Sequence, residues 1–450
     1  MINKIVILGG GESGTGAALL AKAKGFQVFV SDQSLLKDKY KTELQNASIE
    51  FEEGRHTIEK ILQAQLIIKS PGIPDKAEVI KKAKQANIEI IDEIEFAWRY
   101  VKGKVIAITG TNGKTTTTLL TYHLLKEAGW NVAIGGNVGE SLARTVAYEN
   151  HDWYVLEVSS FQLDGTKTFK PTIGILTNIT PDHLDRYEYK MENYINSKFR
   201  LIQNMDLTDN FIYYSEDPVV SKEISTRKIA PKQIQVSLNN RNAIANYANR
   251  TMEFHFKNEF AIAQADTTLK GPHNLLNTMC AVSAAYLAGV SEELIRKGLK
   301  NFVNAPHRLE SVAVINGVEF VNDSKATNVD SVVYALGSYN QPLVWIAGGI
   351  DKGNDYSLIA NDVKKKVHTL ICLGKDNGKL RSAFGTIVPN IFETQTVKEL
   401  VRIALKSARK GDVVLLSPAC ASFDLFKNYE DRGDQFRKET LLLKSEVEKK

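Results

Sequence analysis

The sequence predicts an α/β protein of three domains. Short apolar segments with the length and composition of strands alternate with longer segments of helical periodicity along the 450 residues. Many of the apolar segments end in loops rich in glycine, serine or asparagine, which is typical of parallel sheets that bind ligands at the carboxyl ends of their strands. The pattern divides into three blocks, for which we expect the boundaries 1–95, 96–302 and 303–450.

The first block opens with a predicted strand, Lys4–Leu8, which runs into the glycine-rich turn Gly9–Gly14 and a predicted helix, Thr15–Lys24. A second strand, Gln27–Val30, ends near Asp32. The spacing Gly-x-Gly-x-x-Gly after a strand, followed by an acidic residue, is the dinucleotide-binding fingerprint and predicts a Rossmann-like N-terminal domain. Glycines at these positions are also compatible with a purely structural role, in a tight turn and close helix–strand packing.

A third strand in this block, Leu66–Lys69, stops at Ser70–Pro74. Two prolines around a glycine predict a rigid loop. Because the loop follows the carboxyl end of a strand, it is a candidate wall of the same ligand site.

The second block carries the most informative segment of the chain. A strand beginning near Val105 enters the turn Gly110–Gly113, and Lys114 and Thr115 then open a helix. Backbone N–H groups of such a turn bind phosphate oxygens, the lysine reaches the outer phosphates, and the hydroxyl coordinates Mg²⁺. The two glycines are closer together than in the usual phosphate loop, but the strand and helix around them favour a central P-loop ATPase-type domain.

Charged side chains follow this ATP-binding motif. The strand Trp153–Leu156 delivers Glu157, and a carboxylate beside a phosphate loop is a common holder of Mg²⁺ or its water. The segment Asp182–Tyr187 follows the strand Ile173–Leu176. Lys198 lies in a predicted helix from Met191 to Gln203. A second helix, Leu275–Leu287, follows a weaker β-like stretch.

The third block repeats the strand-then-polar-loop pattern three times, which predicts a Rossmann-like C-terminal domain with a ligand along one sheet edge. The strands and their loops are Val318–Val321 with Asn322–Asn328, Leu343–Ala347 with Gly348–Gly353, and Val413–Leu416 with Ser417–Phe423.

Composition and charge exclude several classes of protein. Hydrophobic residues make up 43% and charged residues 24%, as in ordinary soluble domains. The net charge of +5, from 57 basic and 52 acidic residues, gives no reason to expect a nucleic-acid partner. No apolar run approaches the length of about 18 residues that a membrane span needs. The three cysteines are far apart and no signal peptide precedes the first strand, so we expect a cytoplasmic protein.

Together these motifs resemble those of the Mur ligase family, and they occur in the family's order over essentially the full chain. The general family motifs are Gly110–Thr115, Glu157, Asp182–Asp185, Gly271–Asn277 and Pro306–Arg308. The segments that resemble the D-glutamate-adding members are Ser70–Pro74, Glu157–Leu163, Asn322–Asn328, Ser417–Phe423 and Phe426–Glu430.

The resemblance implies an ATP-dependent ligase of peptidoglycan synthesis. ATP phosphorylates the free carboxylate of UDP-N-acetylmuramoyl-L-alanine, and the amine of D-glutamate then displaces phosphate from the acyl-phosphate. The implied cofactors are ATP and Mg²⁺ at two sites. We further expect a monomer without nucleic-acid or membrane partners, whose third domain closes over ATP.

The resemblance also implies a set of site residues. The catalytic residues are Lys114, Glu157, His183 and Lys198, and the metal ligands are Thr115, Glu157, His183 and a carbamylated Lys198. ATP binds Gly110, Thr111, Asn112, Gly113, Lys114, Thr115, Thr116, Asn274, Asn277, Arg308 and Asp323. The nucleotide-sugar substrate binds Glu12, Ser13, Asp32, Ser70, Gly72, Asn137, Ser159 and Gln162. D-Glutamate binds Thr327, Lys352, Ser422 and Phe423.

The match has departures, and other functions stay open. Gln33-Ser34 replaces the Thr-Arg that follows the strand-2 aspartate in better-known members, and Glu12 is an unusual acid in a loop that faces phosphate. Taken alone, Lys198 reads as an ordinary exposed helix lysine, and Asn274 as part of a polar helix start. The alternatives are an NAD-dependent oxidoreductase built on Gly9–Gly14 and Asp32, a non-catalytic ATP-driven switch, and a sister ligase for another amino acid, a dipeptide or folate polyglutamate.

Overall fold

Three β-sheets organise the protein, and each lies within one of the predicted blocks. The structure, a computed structural model, describes residues 3–269 and 271–449. Its sheets have five, nine and six strands in sequence order along the chain, which confirms the α/β class. Two compact units are present: the first comprises the chain up to Thr268 with Leu276–Phe302, and the second comprises Leu269–Leu275 with the chain from Val303. The finer boundaries at 95/96 and 302/303 stay predictions.

The first sheet is entirely parallel, with the strand order β3-β2-β1-β4-β5. Its strands are β1 (Lys4–Leu8), β2 (Gln27–Ser31), β3 (Glu50–Glu52), β4 (Leu66–Lys69) and β5 (Glu89–Asp92), and its helices are α1 (Glu12–Ala23), α2 (Asp38–Asn46), α3 (Ile58–Ile61), α4 (Glu78–Gln85) and α5 (Glu93–Trp98). The order reverses direction between β1 and β4, so a crevice opens there at the carboxyl ends of the strands.

The second sheet has nine strands in the order β14-β13-β12-β11-β10-β9-β6-β8-β7, and β12 to β14 form an antiparallel extension at one edge. The strands are β6 (Lys104–Thr109), β7 (Val132–Gly136), β8 (Trp153–Glu157), β9 (Ile173–Leu176), β10 (Asn210–Tyr214), β11 (Lys232–Ser237), β12 (Ala245–Ala248), β13 (Thr251–His255) and β14 (Glu259–Ala263). The helices are α6 (Lys114–Glu127), α7 (Leu142–Tyr148), α8 (Ser160–Asp164), α9 (Met191–Phe199), α10 (Pro218–Thr226), α11 (Pro272–Ala288) and α12 (Glu292–Asn301), with 3₁₀ turns at Leu184–Arg186, Arg200–Ile202 and Gln264–Asp266.

The third sheet has the order β15-β16-β20-β17-β18-β19 and is parallel apart from its edge strand β15. The strands are β15 (Glu310–Ile315), β16 (Val318–Asn322), β17 (Leu343–Ala347), β18 (Val367–Leu373), β19 (Asn390–Thr394) and β20 (Val413–Leu416). The helices are α13 (Val329–Gly337), α14 (Ser357–Lys366), α15 (Gly378–Phe384), α16 (Val397–Ser407) and α17 (Tyr429–Glu448). The neighbouring positions of β16, β20 and β17 place the three predicted polar loops side by side.

Two buried carboxyl groups mark the passage from the first sheet to the second. Asp92 ends β5 and caps α5 by accepting a hydrogen bond from the Ile94 N–H at 2.9 Å. Glu93 follows it, and its Oε1 accepts from the Ala143 N–H while its buried Oε2 has no hydrogen-bond partner in the described chain. Burial raises the pKa of Asp92 to about 7 and that of Glu93 to about 8.

We expect Glu93→Gln to make the protein less sensitive to alkaline pH. A glutamate whose pKa is higher in the folded than in the unfolded state holds its proton on folding, so its contribution to stability falls as the pH rises from about 4.5 to about 8. Glutamine cannot ionise, so the variant does not lose stability in this way as the pH rises. Between pH 5 and 8.5 the variant should gain about 4 kcal/mol of unfolding free energy relative to wild type, as measured from urea unfolding.

The matched control for this experiment is Glu59→Gln, which alters an exposed glutamate of α3. Its unfolding free energy should follow that of wild type at every pH. Parallel curves for Glu93→Gln and wild type would contradict the assignment of a raised pKa to Glu93.

No helix in the described part of the chain combines the length and the apolar character that a membrane crossing requires.

Candidate active site

A cavity of about 660 Å³ lies at the carboxyl edge of the first sheet. Three of the residues predicted to bind the nucleotide-sugar, Asp32, Ser70 and Gly72, line it together with Gly9 and Gly11. They come from the ends of β1, β2 and β4, so the structure brings together residues that are far apart in sequence. This is the crevice that the strand order creates.

The glycine fingerprint is needed for the shape of this cavity. Gly9 has a φ of +90°, and a Cβ added to it would lie 2.8 Å from the Cβ of Ser70. A Cβ on Gly14 would lie 1.7 Å from the carbonyl oxygen of Gly9, which only a displaced helix could accommodate. Asp32 holds the turn, because its carboxylate accepts hydrogen bonds from the N–H groups of Gly10 at 2.7 Å and Ser34 at 2.8 Å.

Glu12 and Ser13 occupy the first turn of α1. The Glu12 carboxylate accepts from Nε of Arg144 at 2.7 Å and from the Ser141 N–H at 3.2 Å. Arg144 also pairs with Glu43. Burial opposes ionisation of Glu12, but the hydrogen bonds from Arg144 and Ser141 outweigh it and lower the pKa of the carboxyl. Any contact of Glu12 with substrate therefore competes with its ion pair with Arg144. Ser13, in the same turn, is half-buried.

The phosphate loop follows β6 and adopts two left-handed turns. Gly110 has a φ of +147° and Gly113 a φ of +84°, which explains why both positions are glycine. A Cβ on Gly113 would lie 2.4 Å from Oδ1 of Asn277, so this predicted ATP contact packs directly against the loop. The loop continues into α6, whose first residues are Lys114, Thr115 and the buried Thr116.

Two residues outside the motif fix the loop. The Thr177 hydroxyl donates to the carbonyl of Asn112 at 2.6 Å. Asn178 makes a two-point contact with the Asn112 backbone, because its Oδ1 accepts from the N–H at 2.8 Å and its Nδ2 donates to the carbonyl at 3.0 Å. Sequence reasoning missed both, although their position directly after β9 placed them at the correct sheet edge.

Two lysines converge on one carbonyl of the phosphate loop. Nζ of Lys114 donates to the Gly110 carbonyl at 2.9 Å and to that of Thr111 at 2.8 Å, and Nζ of Lys198 donates to the same Gly110 carbonyl at 2.7 Å. Lys198 is only 1% exposed and lies 4.6 Å from the centre of the Tyr194 ring. Burial, and then the charge of Lys114, hold the pKa of Lys198 well below its usual value. The interpretation of Lys198 as an exposed helix lysine is therefore wrong.

Glu157 ends β8 at the same edge. It is 2% exposed, and its Oε1 accepts from Nδ2 of Asn137 at 2.8 Å. Its Oε2 is buried and has no hydrogen-bond partner within the described residues. Asn137 thus touches Glu157, and whether it also binds substrate stays a prediction.

His183 sits in a tight turn, with a φ of +52°, that continues into the 3₁₀ turn Leu184–Arg186. Its exposed ring packs edge-on against Phe161 at 5.3 Å between ring centres. The guanidinium of Arg186 lies 4.5 Å from the centre of the same Phe161 ring and donates to the carbonyls of Pro71 at 3.2 Å and Gly72 at 3.3 Å. The turn that presents His183 is therefore tied to the loop that lines the first cavity.

Ser159 and Gln162 form the capping box at the start of α8. The Gln162 side chain accepts from the Ser159 N–H at 2.9 Å, and the Ser159 hydroxyl accepts from the Gln162 N–H at 3.3 Å. Gln162 is 2% exposed. Both predicted substrate contacts thus have a structural role at this helix end, and substrate binding by them stays a prediction.

In the second compact unit, a buried aspartate holds two loops. Asp323 accepts from the Leu309 N–H at 3.2 Å and from the Ser417 hydroxyl at 2.9 Å. Burial raises the pKa of Asp323 to about 7, and these hydrogen bonds and the charge of Arg308 act in the opposite direction. In the first turn of α11, Asn274 is buried, and burial lowers the pKa of His273 to about 4, so its ring is neutral at neutral pH.

The loops after β16, β17 and β20 meet around the side chain of Arg432, which is 1% exposed. Its guanidinium donates to the carbonyls of Ser324 at 2.9 Å, Gly348 at 3.3 Å and Cys420 at 3.2 Å, and Nε donates to the Ser324 hydroxyl at 3.0 Å. These loops also carry the predicted D-glutamate contacts, of which Ser422 is buried, Thr327 half-buried, and Lys352 and Phe423 exposed. Sequence reasoning missed Arg432, which lies on α17 two residues beyond the Phe426–Glu430 segment, because no local pattern shows that its side chain is buried.

Comparison with known proteins decides the family. A model of the MurD-like N-terminal domain of Mur ligases matches residues 3–92, the Mur ligase middle domain matches 108–285, and the Mur ligase glutamate ligase domain matches 307–420. UDP-N-acetylmuramoylalanine–D-glutamate ligase of Cytophaga hutchinsonii is 54% identical over 442 residues, which cover 97% of this chain and 98% of that protein. The enzyme of the same name from Bacteroides fragilis is 50% identical over 97% of this chain and 99% of its own length.

The chain belongs to the Mur ligase family.

Solved structures of ligases with distant sequences share this fold. UDP-N-acetylmuramate-alanine ligase MurC from Thermotoga maritima aligns with a TM-score of 0.62 at 18% identity, covering 99% of this chain and all of that one. A pseudomurein peptide ligase type C from Methanothermus fervidus aligns with a TM-score of 0.63 at 21% identity, covering 98% of this chain and all of that one. The predicted three-domain Mur ligase architecture is confirmed.

The donor set of this Mur ligase fits a hard cation at the phosphate loop. Among the described residues no group of three or more His, Cys, Asp or Glu side chains has the arrangement of a metal site. The buried, unpartnered Oε2 of Glu157, however, is the kind of oxygen that Mg²⁺ binds, and such sites complete their coordination with substrate phosphates and waters. The side chains therefore fit a metal that is held jointly with a nucleotide.

Proposed function

We propose that this Mur ligase uses ATP to join D-glutamate to UDP-N-acetylmuramoyl-L-alanine. The observation that carries the proposal is the phosphate loop with Lys114 at its end, the buried Lys198 in contact with it and Glu157 at the same sheet edge, because Lys114 supplies the positive charge that carboxylate activation needs. The relatives that share 50–54% of their residues with almost the whole chain carry the name of this ligase. Their name, together with the cavity in the Rossmann-like sheet, supports the UDP-linked substrate.

The proposed reaction has two steps. The carboxylate oxygen of the alanine attacks the γ-phosphorus of ATP, the bond to the β-phosphate oxygen breaks, and ADP leaves. The amine of D-glutamate then attacks the acyl carbon, phosphate leaves with the bonding electron pair, and the amine loses a proton to form the amide. Lys114 offsets the repulsion between the carboxylate and the triphosphate and stabilises charge on the transferred phosphoryl group.

Thr115, Glu157, His183 and Lys198 would hold Mg²⁺ at two sites. When bound, Mg²⁺ supplies further charge neutralisation at the phosphoryl group. In addition, the backbone N–H groups of Gly110–Gly113 provide the phosphate cradle, and Asn274, Asn277, Arg308 and Asp323 remain predicted nucleotide contacts.

Lys198 suits a metal only after modification, because an ammonium repels a cation. Burial lowers the pKa of Lys198 and so favours the neutral amine, which is the form that can attack carbon dioxide. The N–C bond then forms, one proton is released, and the product is an anionic carbamate with two oxygen ligands. The neighbouring Lys114 ammonium stabilises that charge.

The second unit is proposed to bind the amino acid. D-Glutamate has two carboxylates, which match the Lys352 ammonium and the Thr327 and Ser422 hydroxyls. The exposed Phe423 adds apolar contact area. We also propose that the protein acts as a monomer in the cytoplasm.

The test is phosphate release from ATP with UDP-N-acetylmuramoyl-L-alanine and a panel of D- and L-amino acids. We expect release only with D-glutamate. Lys114→Ala should abolish it, whereas Lys126→Ala, which alters an exposed lysine on the same helix, should leave it unchanged. Release with L-alanine or diaminopimelate would redirect the assignment to a sister ligase, and release without any amino acid would contradict a ligase.

A further inference from the structure

His56 lines the same 660 Å³ cavity as the predicted nucleotide contacts, although no motif includes it. It lies four residues beyond Glu52, the last residue of β3. Its ring is held by a chain of hydrogen bonds that determines which of its nitrogens carries hydrogen. The inference drawn from this chain rests on the proposed function, since it concerns the nucleotide of that substrate.

The chain of hydrogen bonds runs from Glu52 through Ser31 to His56. The Ser31 hydroxyl lies 2.7 Å from Oε1 of Glu52 and 2.7 Å from Nδ1 of His56. The Thr57 N–H donates to the same Oε1 at 2.7 Å. Burial raises the pKa of Glu52, but the hydrogen bonds from Thr57 and Ser31 lower it by more. The Glu52 carboxylate is therefore ionised and can only accept hydrogen bonds.

This arrangement fixes the tautomer of His56. Ser31 has a single hydroxyl hydrogen, which it must donate to the Glu52 carboxylate. The contact between Ser31 and His56 is then a hydrogen bond only if Nδ1 carries the hydrogen and donates. Burial lowers the pKa of His56 more than the charges of Asp32 and Glu52 raise it, so the ring is neutral at neutral pH. Its Nε2 is therefore a bare acceptor, and no protein group in the described chain donates to it.

The sheet order places His56 at one end of a line of ligand contacts. The glycine turn with its N–H groups follows β1, Asp32 follows β2, and His56 lies beyond β3, in the spatial order in which the strands are neighbours. A glycine turn suits phosphate, and an acidic residue after the second strand suits ribose hydroxyls. The next group along a nucleoside diphosphate is its base. Ile58, two residues beyond His56, is one of the apolar residues that line the cavity.

We propose that His56 selects the base of the nucleotide, with its unprotonated Nε2 accepting a hydrogen bond from the N3–H of uracil. Cytosine presents an unprotonated N3 at the same position, so two lone pairs would face each other. Ser31 and Glu52 act as positioning residues that hold the ring in the accepting tautomer.

The test is isothermal calorimetry with UDP, 3-methyl-UDP and CDP. Wild type should bind UDP about tenfold or more tightly than either analogue, because both remove the donor that Nε2 accepts. His56→Phe keeps a planar ring without the acceptor, so it should bind UDP about tenfold more weakly and lose the preference. Ser31→Ala frees the tautomer and should reduce the preference by about threefold. ADP binding and the thermal midpoint of each variant report whether the fold is intact.

Several outcomes would overturn the proposal. One is a wild-type protein that binds UDP and CDP equally, and another is a His56→Phe variant that retains the full preference for UDP. An unchanged preference for UDP in Ser31→Ala would contradict the inference that Ser31 fixes the tautomer of His56. Because calorimetry needs no turnover, base selection that depends on His56 would support the inference even if D-glutamate gave no phosphate release.

Discussion

Lys198→Ala is expected to lower D-glutamate-dependent phosphate release by about 10²–10³-fold, the loss typical of removing one group that stabilises charge in a transition state. The substitution removes a buried amine that contacts the Gly110 carbonyl and that is proposed to become an anionic metal ligand. It leaves a small space beside the phosphate loop. A short carboxylic acid such as acetate or propionate can place an oxygen there, so either should restore part of the rate.

Two control variants test whether the effect is specific to Lys198 and whether it needs a side chain that can be carbamylated. Lys190→Ala, which alters an exposed lysine just before the same helix, should retain the wild-type rate. Lys198→Arg cannot be carbamylated in the same way and should be as slow as the alanine variant. An unrescued Lys198→Ala protein with full activity would contradict both the carbamate and a catalytic role for this residue.

Arg432→Met is expected to cause the second large effect, on both stability and D-glutamate binding. The guanidinium donates to three carbonyls and one hydroxyl from three loops, and methionine would leave these buried acceptors without partners. Unpaired buried acceptors cost about 1–3 kcal/mol each before relaxation, so we expect at least about 2 kcal/mol lower unfolding free energy. The loops also carry the proposed D-glutamate contacts, so KM for D-glutamate should rise about tenfold, well beyond any change in KM for ATP.

Two further variants make the Arg432 experiment specific. Arg432→Lys keeps the charge but cannot reach all three loops at once, so it should restore little of the D-glutamate affinity. Arg402→Met removes an exposed arginine that pairs with Glu446 on the surface of the same unit, and it should match wild type. Equal increases in KM for ATP and D-glutamate in Arg432→Met would show general destabilisation in place of loop positioning.

The elements that border the ligand-binding edges could be predicted closely from the sequence. The strands Lys4–Leu8, Leu66–Lys69, Leu343–Ala347 and Val413–Leu416 have the bounds that the sequence predicted, because the buried part of a parallel strand is a continuous apolar run. Helix bounds were less accurate. The first helix begins three residues before the predicted Thr15, because the glycines that interrupt the apolar pattern belong to its first turns. The helix around Lys198 ends at Phe199 and tightens into a 3₁₀ turn before Gln203.

Contacts between distant segments limited the prediction of the site. Arg144, which binds Glu12, lies in a helix with no motif, so no local pattern reveals the ion pair. The burial of Lys198 depends on how α9 packs beside the phosphate loop, and the sequence around it is polar. His56 stands in a charged stretch that reads as an exposed loop, and only the sheet order brings it to the nucleotide cavity. These positions are determined by tertiary packing, which a single sequence does not encode locally.

The contact of Arg186 with Pro71 and Gly72 has a thermodynamic consequence. Its hydrogen bonds join the turn that carries His183 to the loop that lines the nucleotide cavity, within the first compact unit. Ordering either segment lowers the entropy cost of ordering the other, and such coupling is reciprocal. A molecule that immobilises the Ser70–Pro74 loop therefore also preorganises His183, so affinity at one position is partly set by occupancy at the other.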